Sequence, residues 1–204
     1  MTDHLGGYDD GYEAVPCFWG EEPGSLVREF LSRNVVTGLR VLDLGAGEGK
    51  NASALAKAGA AVDAVEMSSS AIENGRERFG HGFNWIHADA RTINLGSKSY
   101  DLVVSYGLAH CMKSESEAAH LIEQSQDALK AGGHYILVAF NARSQDLRAH
   151  PGFEPLLLSH DWYVERFSGW DLLIATDTNL HETHPHNNVP HHHSMTRLLA
   201  RKRV

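Results

Sequence analysis

The sequence predicts an α/β fold of three layers, in which a mostly parallel seven-stranded sheet ends in an antiparallel C-terminal hairpin. Two observations support this prediction. As far as residue 140, short apolar segments typical of strands alternate with amphipathic segments typical of helices, and parallel strands need such crossover connections. Beyond residue 141, two apolar segments follow with one loop between them, a pattern typical of an antiparallel pair.

The individual elements follow from their apolar spacing and their end signals. A helix is predicted after Ser25, its expected N-cap, because apolar residues recur at i, i+1, i+4 and i+5 over residues 26–31. Strands are predicted at residues 40–44, 61–66, 83–87, 101–105 and 135–140, and in the hairpin at 170–176 and 194–200. Helices are predicted at residues 51–59, 69–79, 116–130 and 160–167.

Length and composition favour a single globular domain over residues 1–204. The formal net charge of −8 argues against a nucleic-acid partner, since clustered Lys and Arg occur only at Arg197–Arg203. No apolar run reaches the roughly 20 residues of a membrane span, and Met1–His4 lacks the features of a signal peptide. Two cysteines, Cys17 and Cys111, are too few for a disulfide framework. We therefore expect a cytoplasmic protein without a nucleic-acid or membrane partner.

A glycine-rich turn follows the first predicted strand. Here Gly45 permits a tight turn, Gly47 lets the backbone approach a ligand, and Gly49 opens the next helix. The spacing is G-x-G-x-G rather than the G-x-G-x-x-G typical of dinucleotide-binding turns, and Asp43 precedes it inside the strand. An acidic strand end attracts the cationic groups of S-adenosylmethionine, whereas it would repel the anionic pyrophosphate of a dinucleotide. We therefore predict Asp43, Gly45, Gly47 and Gly49 as cofactor-binding residues.

A second acid lies at the end of the next predicted strand. Glu66 closes the segment Ala61–Glu66 about 20 residues after the turn, where nucleoside-binding α/β folds place the carboxylate that binds the ribose hydroxyls. We predict Glu66 as the ribose ligand and include the adjoining Met67 in the cofactor site. Ser105, at the end of the fourth strand, is predicted at the same edge.

Over residues 24–140 the sequence resembles the class I S-adenosylmethionine-dependent methyltransferases. The resemblance is carried by Val41–Asn51, His87–Ala90, Tyr100–His110 and Leu129–Val138. It implies a Rossmann-like methyltransferase fold and S-adenosylmethionine as the cofactor. It also implies that Asp89 and Ala90 hold the edge of the adenine.

A histidine-rich segment, residues 181–193, is expected as the hairpin loop at the substrate edge, since loops after parallel strands emerge where ligands bind. It holds six of the 14 histidines of the chain, several with i, i+2 spacing that places two rings on one side of an extended strand. With Glu182 close by, such imidazoles suit Zn, Ni, Cu or Fe. A solvated loop without a ligand and a cationic cradle for an anion are the alternatives. The candidate metal ligands are His181, His186, His191 and His193.

The second half of the chain resembles the tellurite-resistance methyltransferases, which methylate tellurite, selenite and related small nucleophiles. Trp162–Asp171, Leu180–His181 and Leu199–Lys202 carry this resemblance, and Arg166 and His181 match positions in the family pattern. Glu182 stands where that pattern has an Arg. The aromatic segment Phe18–Gly20 is similar to the arm that thiol and halide methyltransferases place over a small soft nucleophile.

These resemblances imply transfer of a methyl group to a small soft or anionic nucleophile, such as a thiol or a chalcogen oxyanion. Tyr106 is expected to orient the donor or acceptor, His110 to take a proton, and His181 to act in catalysis. Trp19 is expected to cover the site from an N-terminal arm or lid, residues 1–23. Arg143 is a further candidate for anion contact.

Two other functions fit parts of this sequence. A metal-binding or metal-sensing protein on a methyltransferase scaffold fits the histidine-rich segment. An NAD-dependent oxidoreductase also uses a glycine-rich turn, but the glycine spacing and the lack of a Tyr-x-x-x-Lys pair argue against it.

Overall fold

The structure is a computed structural model that describes residues 8–150, 152–183 and 188–204. Its strands are β1 (Arg40–Leu44), β2 (Ala61–Glu66), β3 (Asn84–His87), β4 (Tyr100–Tyr106), β5 (Leu129–Gln145), β6 (Asp171–Glu182) and β7 (His191–Arg201). Its helices are α1 (Tyr8–Ala14), α2 (Ser25–Arg33), α3 (Lys50–Lys57), α4 (Ser69–Phe79), α5 (Glu115–Ala128) and α6 (His160–Glu165). A 3-10 turn follows β4 at Ala109–Cys111.

The strands of the described residues form one sheet in the order β3-β2-β1-β4-β5-β7-β6. β1 to β5 run parallel, whereas β7 pairs antiparallel with both β5 and β6. β6 is therefore parallel to the first five strands, and its carboxyl end lies at the same edge as theirs. This arrangement confirms the predicted fold class.

The two faces of the sheet bury different side chains because successive residues of a strand point to opposite sides. Val41 and Leu102 pack with α2 and α3 in one core, whereas Leu42 and Val103 pack with α5 in the other. All four are fully buried. The helices on both faces leave the carboxyl edge of the sheet as the place for a site.

Several element boundaries differ from the prediction. The predicted helix 116–130 ends at Ala128, and β5 begins at once and extends to Gln145, because β4 and β7 provide a longer hydrogen-bonded ladder than its apolar run indicates. Ser25 is the first helical residue rather than the N-cap, a position held by Gly24. The backbone N–H of Gly24 donates instead to Oδ1 of Asn51 at 2.8 Å.

The two ends of the histidine-rich segment are strand rather than loop. Residues 181–182 end β6, residues 191–193 begin β7, and Glu182 lies opposite His191 in the register. The expected loop over residues 181–193 is therefore too long, because ladder hydrogen bonds extend the hairpin into polar sequence. Among the described residues, no helix combines the length and apolarity that crossing a membrane requires.

Candidate active site at the carboxyl edge of the sheet

A cavity of about 630 Å³ opens at the carboxyl ends of β1, β2 and β4. Its volume falls within the range of about 300–1,000 Å³ typical of small-molecule sites. One end is lined by the glycine turn, the end of β2 and residues 88–91. The other end is lined by the residues after β4, by Phe140 of β5 and by Glu182 of β6.

The glycine turn forms one wall of this cavity. Gly45 and Gly47 have φ of 65° and 55° and line the cavity, as expected of residues that let a ligand approach the backbone. Gly49, which also has a positive φ of 83°, is the N-cap of α3 and packs instead against Trp85. A Cβ on Gly49 would lie 2.6 Å from Cη2 of that ring. The third glycine therefore shapes the turn from behind rather than from the cavity side, which corrects its expected cofactor contact.

Glu66 links the glycine turn to the loop that follows β2, at the same end of the cavity. Its Oε2 accepts the N–H of Gly47 at 2.8 Å, and its Oε1 accepts those of Met67 and Ser68 at 2.8 and 2.9 Å. Burial raises the pKa of this carboxyl, and the three backbone hydrogen bonds oppose that rise. The carboxylate and the partly exposed Met67 both line the cavity.

Asp43 and Ser105 were expected at the cofactor but lie beneath the cavity wall. Asp43 is 1% exposed and accepts a hydrogen bond from the backbone N–H of Ala52, in the first turn of α3. Burial raises its pKa to about 7. Ser105 is fully buried within the sheet. Neither side chain is among those that line the cavity, and their direct contact with the cofactor stays a prediction.

The loop after β3 also lines this end of the cavity, beside the glycine turn and Glu66. The Asp89 carboxylate accepts hydrogen bonds from Nε, Nη2 and the backbone N–H of Arg91, and these bonds lower the pKa of Asp89. Ala90 is buried beside it, and its carbonyl accepts a hydrogen bond from Gln124 at 2.7 Å. Asp89 and Ala90 both line the cavity, as the resemblance implies.

The described part of the N-terminal arm, residues 8–23, lies over the cavity. The Trp19 indole lines it and donates from Nε1 to Tyr12 Oη at 3.1 Å, while the Trp19 carbonyl accepts Lys50 Nζ at 2.8 Å. The Cys17 N–H donates to Glu48 Oε1 at 2.7 Å. These contacts hold the arm against the glycine turn and the first residue of α3. Residues 1–7 of the expected arm lie outside the described residues.

Tyr106 and His110 both line the cavity, at the end that lies after β4. His110 Nδ1 accepts the backbone N–H of Phe140 at 3.0 Å, so the ring proton of neutral His110 lies on Nε2. Burial lowers the His110 pKa to about 3. His110 is therefore a hydrogen-bond donor rather than the proton acceptor expected from the sequence.

Two further polar residues, Arg143 and Cys111, have partners in the structure. Arg143 lies in an exposed ion pair with Asp177, at 2.8 Å, which corrects its expected contact with an anionic substrate. Cys111 lines the cavity, but its thiol donates to the Gly107 carbonyl at 3.3 Å and burial raises its pKa to about 12. A thiol with such a pKa is a poor nucleophile near neutral pH.

A cluster of three histidines and one carboxylate lies beyond the Glu182 end of the cavity. It comprises His150, Glu182, His191 and His193, whose ligand atoms all lie within 4.8 Å of one another. His191, His193 and Glu182 were singled out from the sequence, whereas His150 was missed. It lies in a loop 41 residues before His191, and no local spacing signals their contact.

The other predicted metal ligands, His181 and His186, are not part of the described cluster. His181 is exposed and its ring contacts that of His192 at a centroid distance of 5.8 Å. Because alternate residues of β6 face opposite ways, Glu182 points to the cluster and His181 points away from it, which corrects the expected metal and catalytic roles of His181. His184 and His186 lie outside the described residues.

Comparison with known proteins gives three results. The family described as "Methyltransferase domain" matches residues 41–133. A demethylmenaquinone methyltransferase of Clavibacter sepedonicus is 34% identical over 109 residues, 52% of this chain and 43% of that protein. The chain spans about half the length of the curated relatives it matches. The family match includes the glycine turn, Glu66 and Asp89, and ends before Phe140 and the histidine cluster.

Solved structures show the same fold. A protein studied for the conversion of a disulfide bond into a thioacetal group during echinomycin biosynthesis has a TM-score of 0.73 at 23% identity, covering 96% of this chain and 91% of its own. TehB from Haemophilus influenzae has a TM-score of 0.71 at 19% identity, covering 88% and 62%. At these identities the likeness concerns the fold, and membership of the tellurite-resistance family stays a prediction.

Proposed function

Since this chain belongs to the class I S-adenosylmethionine-dependent methyltransferases, we propose that it transfers a methyl group from S-adenosylmethionine to a soft or anionic nucleophile of a small molecule. One observation carries the proposal. A single cavity joins the glycine turn, Glu66 and Asp89 at one end to Tyr106 and His110 at the other. Donor and acceptor would therefore share one enclosed space.

The donor end has the groups that S-adenosylmethionine requires. In this proposal the Glu66 carboxylate accepts hydrogen bonds from the ribose hydroxyls, and Asp89 and Ala90 hold the edge of the adenine. The supporting observation is that all three residues line the cavity. Gly45 and Gly47 bring the backbone against the donor without a Cβ in the way. When bound, S-adenosylmethionine supplies an electrophilic methyl group on a sulfonium.

The acceptor end favours positioning over proton transfer. Leu180 and Met195 give it apolar surface, Tyr106 and His110 contribute two polar rings, and Glu182 contributes a carboxylate. Holding the nucleophile in line with the methyl group contributes roughly 7–11 kcal/mol in well-oriented reactions. Buried His110, with its low pKa, is a poor base. The chemistry therefore suits an acceptor that is already anionic or has a free lone pair, such as a thiolate or chalcogen oxyanion.

Isothermal titration calorimetry with S-adenosylhomocysteine and NAD tests the cofactor assignment. We expect 1:1 binding of S-adenosylhomocysteine and no binding of NAD at the same concentrations. Glu66→Gln should weaken S-adenosylhomocysteine binding by about tenfold or more, about 1.4 kcal/mol, since it places an amide donor against backbone donors. Glu77→Gln, an exposed change on α4, should leave the affinity unchanged.

The acceptor class is tested by transfer of a radiolabelled methyl group to a panel of small thiols, selenite, tellurite, amines and phenols. Labelling of thiols or chalcogen oxyanions in preference to amines supports the proposed class. Labelling of phenols or amines alone overturns that class while leaving donor binding intact. Tight binding of NAD without S-adenosylhomocysteine binding would contradict the whole assignment.

A further inference from the structure

We propose that His150, Glu182, His191 and His193 bind one divalent transition-metal ion of the Zn²⁺ class beside the acceptor end of the cavity. His150 Nε2 lies 3.1 Å from His191 Nε2 and 3.2 Å from His193 Nε2. Glu182 Oε1 lies 3.5 and 3.6 Å from those two nitrogens. Four ligands at about 2.0–2.1 Å from a tetrahedral zinc are about 3.3–3.4 Å apart, and these four distances suit a single ion.

The hydrogen bonds of two rings point their lone pairs into the cluster. His191 Nδ1 lies 2.8 Å from the Val189 carbonyl, which only accepts, so Nδ1 carries the proton and Nε2 presents a lone pair. His193 Nδ1 lies 2.8 Å from Gln145 Oε1. Histidines that bind metals commonly donate their second nitrogen to a carbonyl or carboxylate in this way.

The orientation of the Gln145 amide is fixed independently. Its Nε2 donates to the carbonyls of Asn141 and Ser194 at 2.7 and 2.9 Å, so its Oε1 is left to accept from His193. The neutral His193 ring therefore also has its lone pair on Nε2. β5 and β7 thus hold His193 in the tautomer that a metal requires.

The three histidines of the cluster are buried together. His150, His191 and His193 are 7%, 4% and 0% exposed, and their Nε2 atoms converge beside the Glu182 carboxylate. A divalent ion bound by three neutral imidazoles and one carboxylate forms a site with a net charge of +1. Nitrogen and carboxylate ligands favour Zn²⁺ and its neighbours in the first transition row.

The site adjoins the cavity through one ligand. The Glu182 carboxylate belongs to the cluster and also lines the cavity, whereas the donor end lies at β1 and β2 on the other side. Metal binding itself does not depend on the proposed methyl transfer. We expect metal occupancy to change acceptor turnover and to leave the affinity for S-adenosylhomocysteine unchanged.

The test uses the full chain purified without a histidine tag and stripped with a chelator. Titration with Co²⁺ should produce the intense visible absorption of a tetrahedral centre and saturate at one ion per chain, and Zn²⁺ should displace the Co²⁺. Elemental analysis after gel filtration should give one zinc per chain. Zn²⁺ should also raise the melting temperature.

Matched double variants separate the cluster from the histidine-rich sequence around it. His191→Ala with His193→Ala should abolish the cobalt spectrum. His181→Ala with His192→Ala removes as many histidines from the same β6–β7 hairpin and should retain the spectrum. Glu182→Gln keeps the side-chain shape and should weaken Co²⁺ binding by about tenfold or more. Circular dichroism of each variant checks that it is folded.

Three outcomes would overturn this site. They are the absence of stoichiometric Co²⁺ binding by the folded wild-type chain, equal binding by the two double variants, and an octahedral spectrum that Glu182→Gln leaves unchanged. S-adenosylhomocysteine titrations of the same samples distinguish this failure from failure of the proposed function. Donor binding without metal binding would reject the metal site alone, and metal binding without donor binding would reject the methyltransferase proposal alone.

Discussion

The rings of Phe140 and His193 are stacked, with their centroids 4.0 Å apart and their planes 15° from parallel. The opposite face of Phe140 stacks on His110 at 4.1 Å and 3°. Phe140 therefore lies between a residue of the acceptor end and a residue of the histidine cluster, and its backbone N–H also fixes the His110 tautomer. A single side chain of β5 thus supports both parts of the candidate site.

Phe140→Ala should lower the free energy of unfolding by about 3–5 kcal/mol, the range found when a buried Phe is truncated. Two stacked imidazoles lose their common partner. Phe79→Ala, at the partly exposed end of α4, is the matched control and should cost less than half as much. Urea denaturation measures both. Equal losses for the two variants would show that Phe140 is not a central packing residue.

The buried Asp43 carboxyl should give a distinctive pH dependence. Its pKa is about 7 in the folded chain, against an ordinary value of 3.8 when unfolded. Between these values the folded chain binds the additional proton, so its contribution to stability is complete below about pH 4 and is lost as the pH rises through 7. Asp43→Asn cannot ionise and lacks this loss.

Urea denaturation of wild type and Asp43→Asn at pH 5 and pH 8 measures the effect, since titrations common to both chains cancel in the difference. We expect wild type to lose stability relative to the variant between these two pH values. Parallel changes in both proteins would mean that Asp43 is ionised throughout.

His110 should remain neutral across the physiological range, because burial lowers its pKa to about 3. Nitrogen-15 NMR of the histidine rings, with His110→Gln to assign the signal, should show a protonated Nε2 and an unprotonated Nδ1 from pH 5 to pH 8. If methyl transfer depends on pH in this range, His110→Gln should show the same dependence with a lower overall rate. A His110 signal that titrates near pH 6.5 would restore its expected role as a base.

Trp19 should slow the release of the bound donor product. Its indole lines the cavity and packs edge-on against Phe18 at 4.8 Å, and its carbonyl is held by Lys50. Trp19→Ala should increase the dissociation rate of S-adenosylhomocysteine several-fold in stopped-flow measurements. Trp19→Phe keeps an aromatic ring while losing the hydrogen bond to Tyr12, and should stay close to wild type. Unchanged rates in both variants would assign the arm a purely structural role.

The donor end of the site was largely predictable from the sequence because its residues follow strand ends within short, regular units. Glu66, Asp89 and Ala90 lie at the cavity as their positions after β2 and β3 indicate. Asp43 and Gly49 belong to the same run, yet they support the turn from beneath. Sequence spacing identifies the turn but does not show which side of it each side chain faces.

The histidine cluster, in contrast, could be predicted from the sequence only in part. His191 and His193 share one side of β7 by simple alternation, which the sequence predicts. Their partners are set by the antiparallel register, which brings Glu182 opposite His191 and turns His181 away. His150 enters from a loop before α6, so only the folded chain brings it within 3.1 Å of His191.

The sequence by itself determined the α/β class, the order of strands and helices and the glycine turn, because these depend on local periodicity and on turn residues. Only the tertiary structure decided that His110 is a neutral donor, that Asp43 is buried, and that His150 completes the cluster. Each of these depends on burial or on contacts between residues distant in the chain. Such contacts are fixed by how the layers pack and not by the pattern of any one segment.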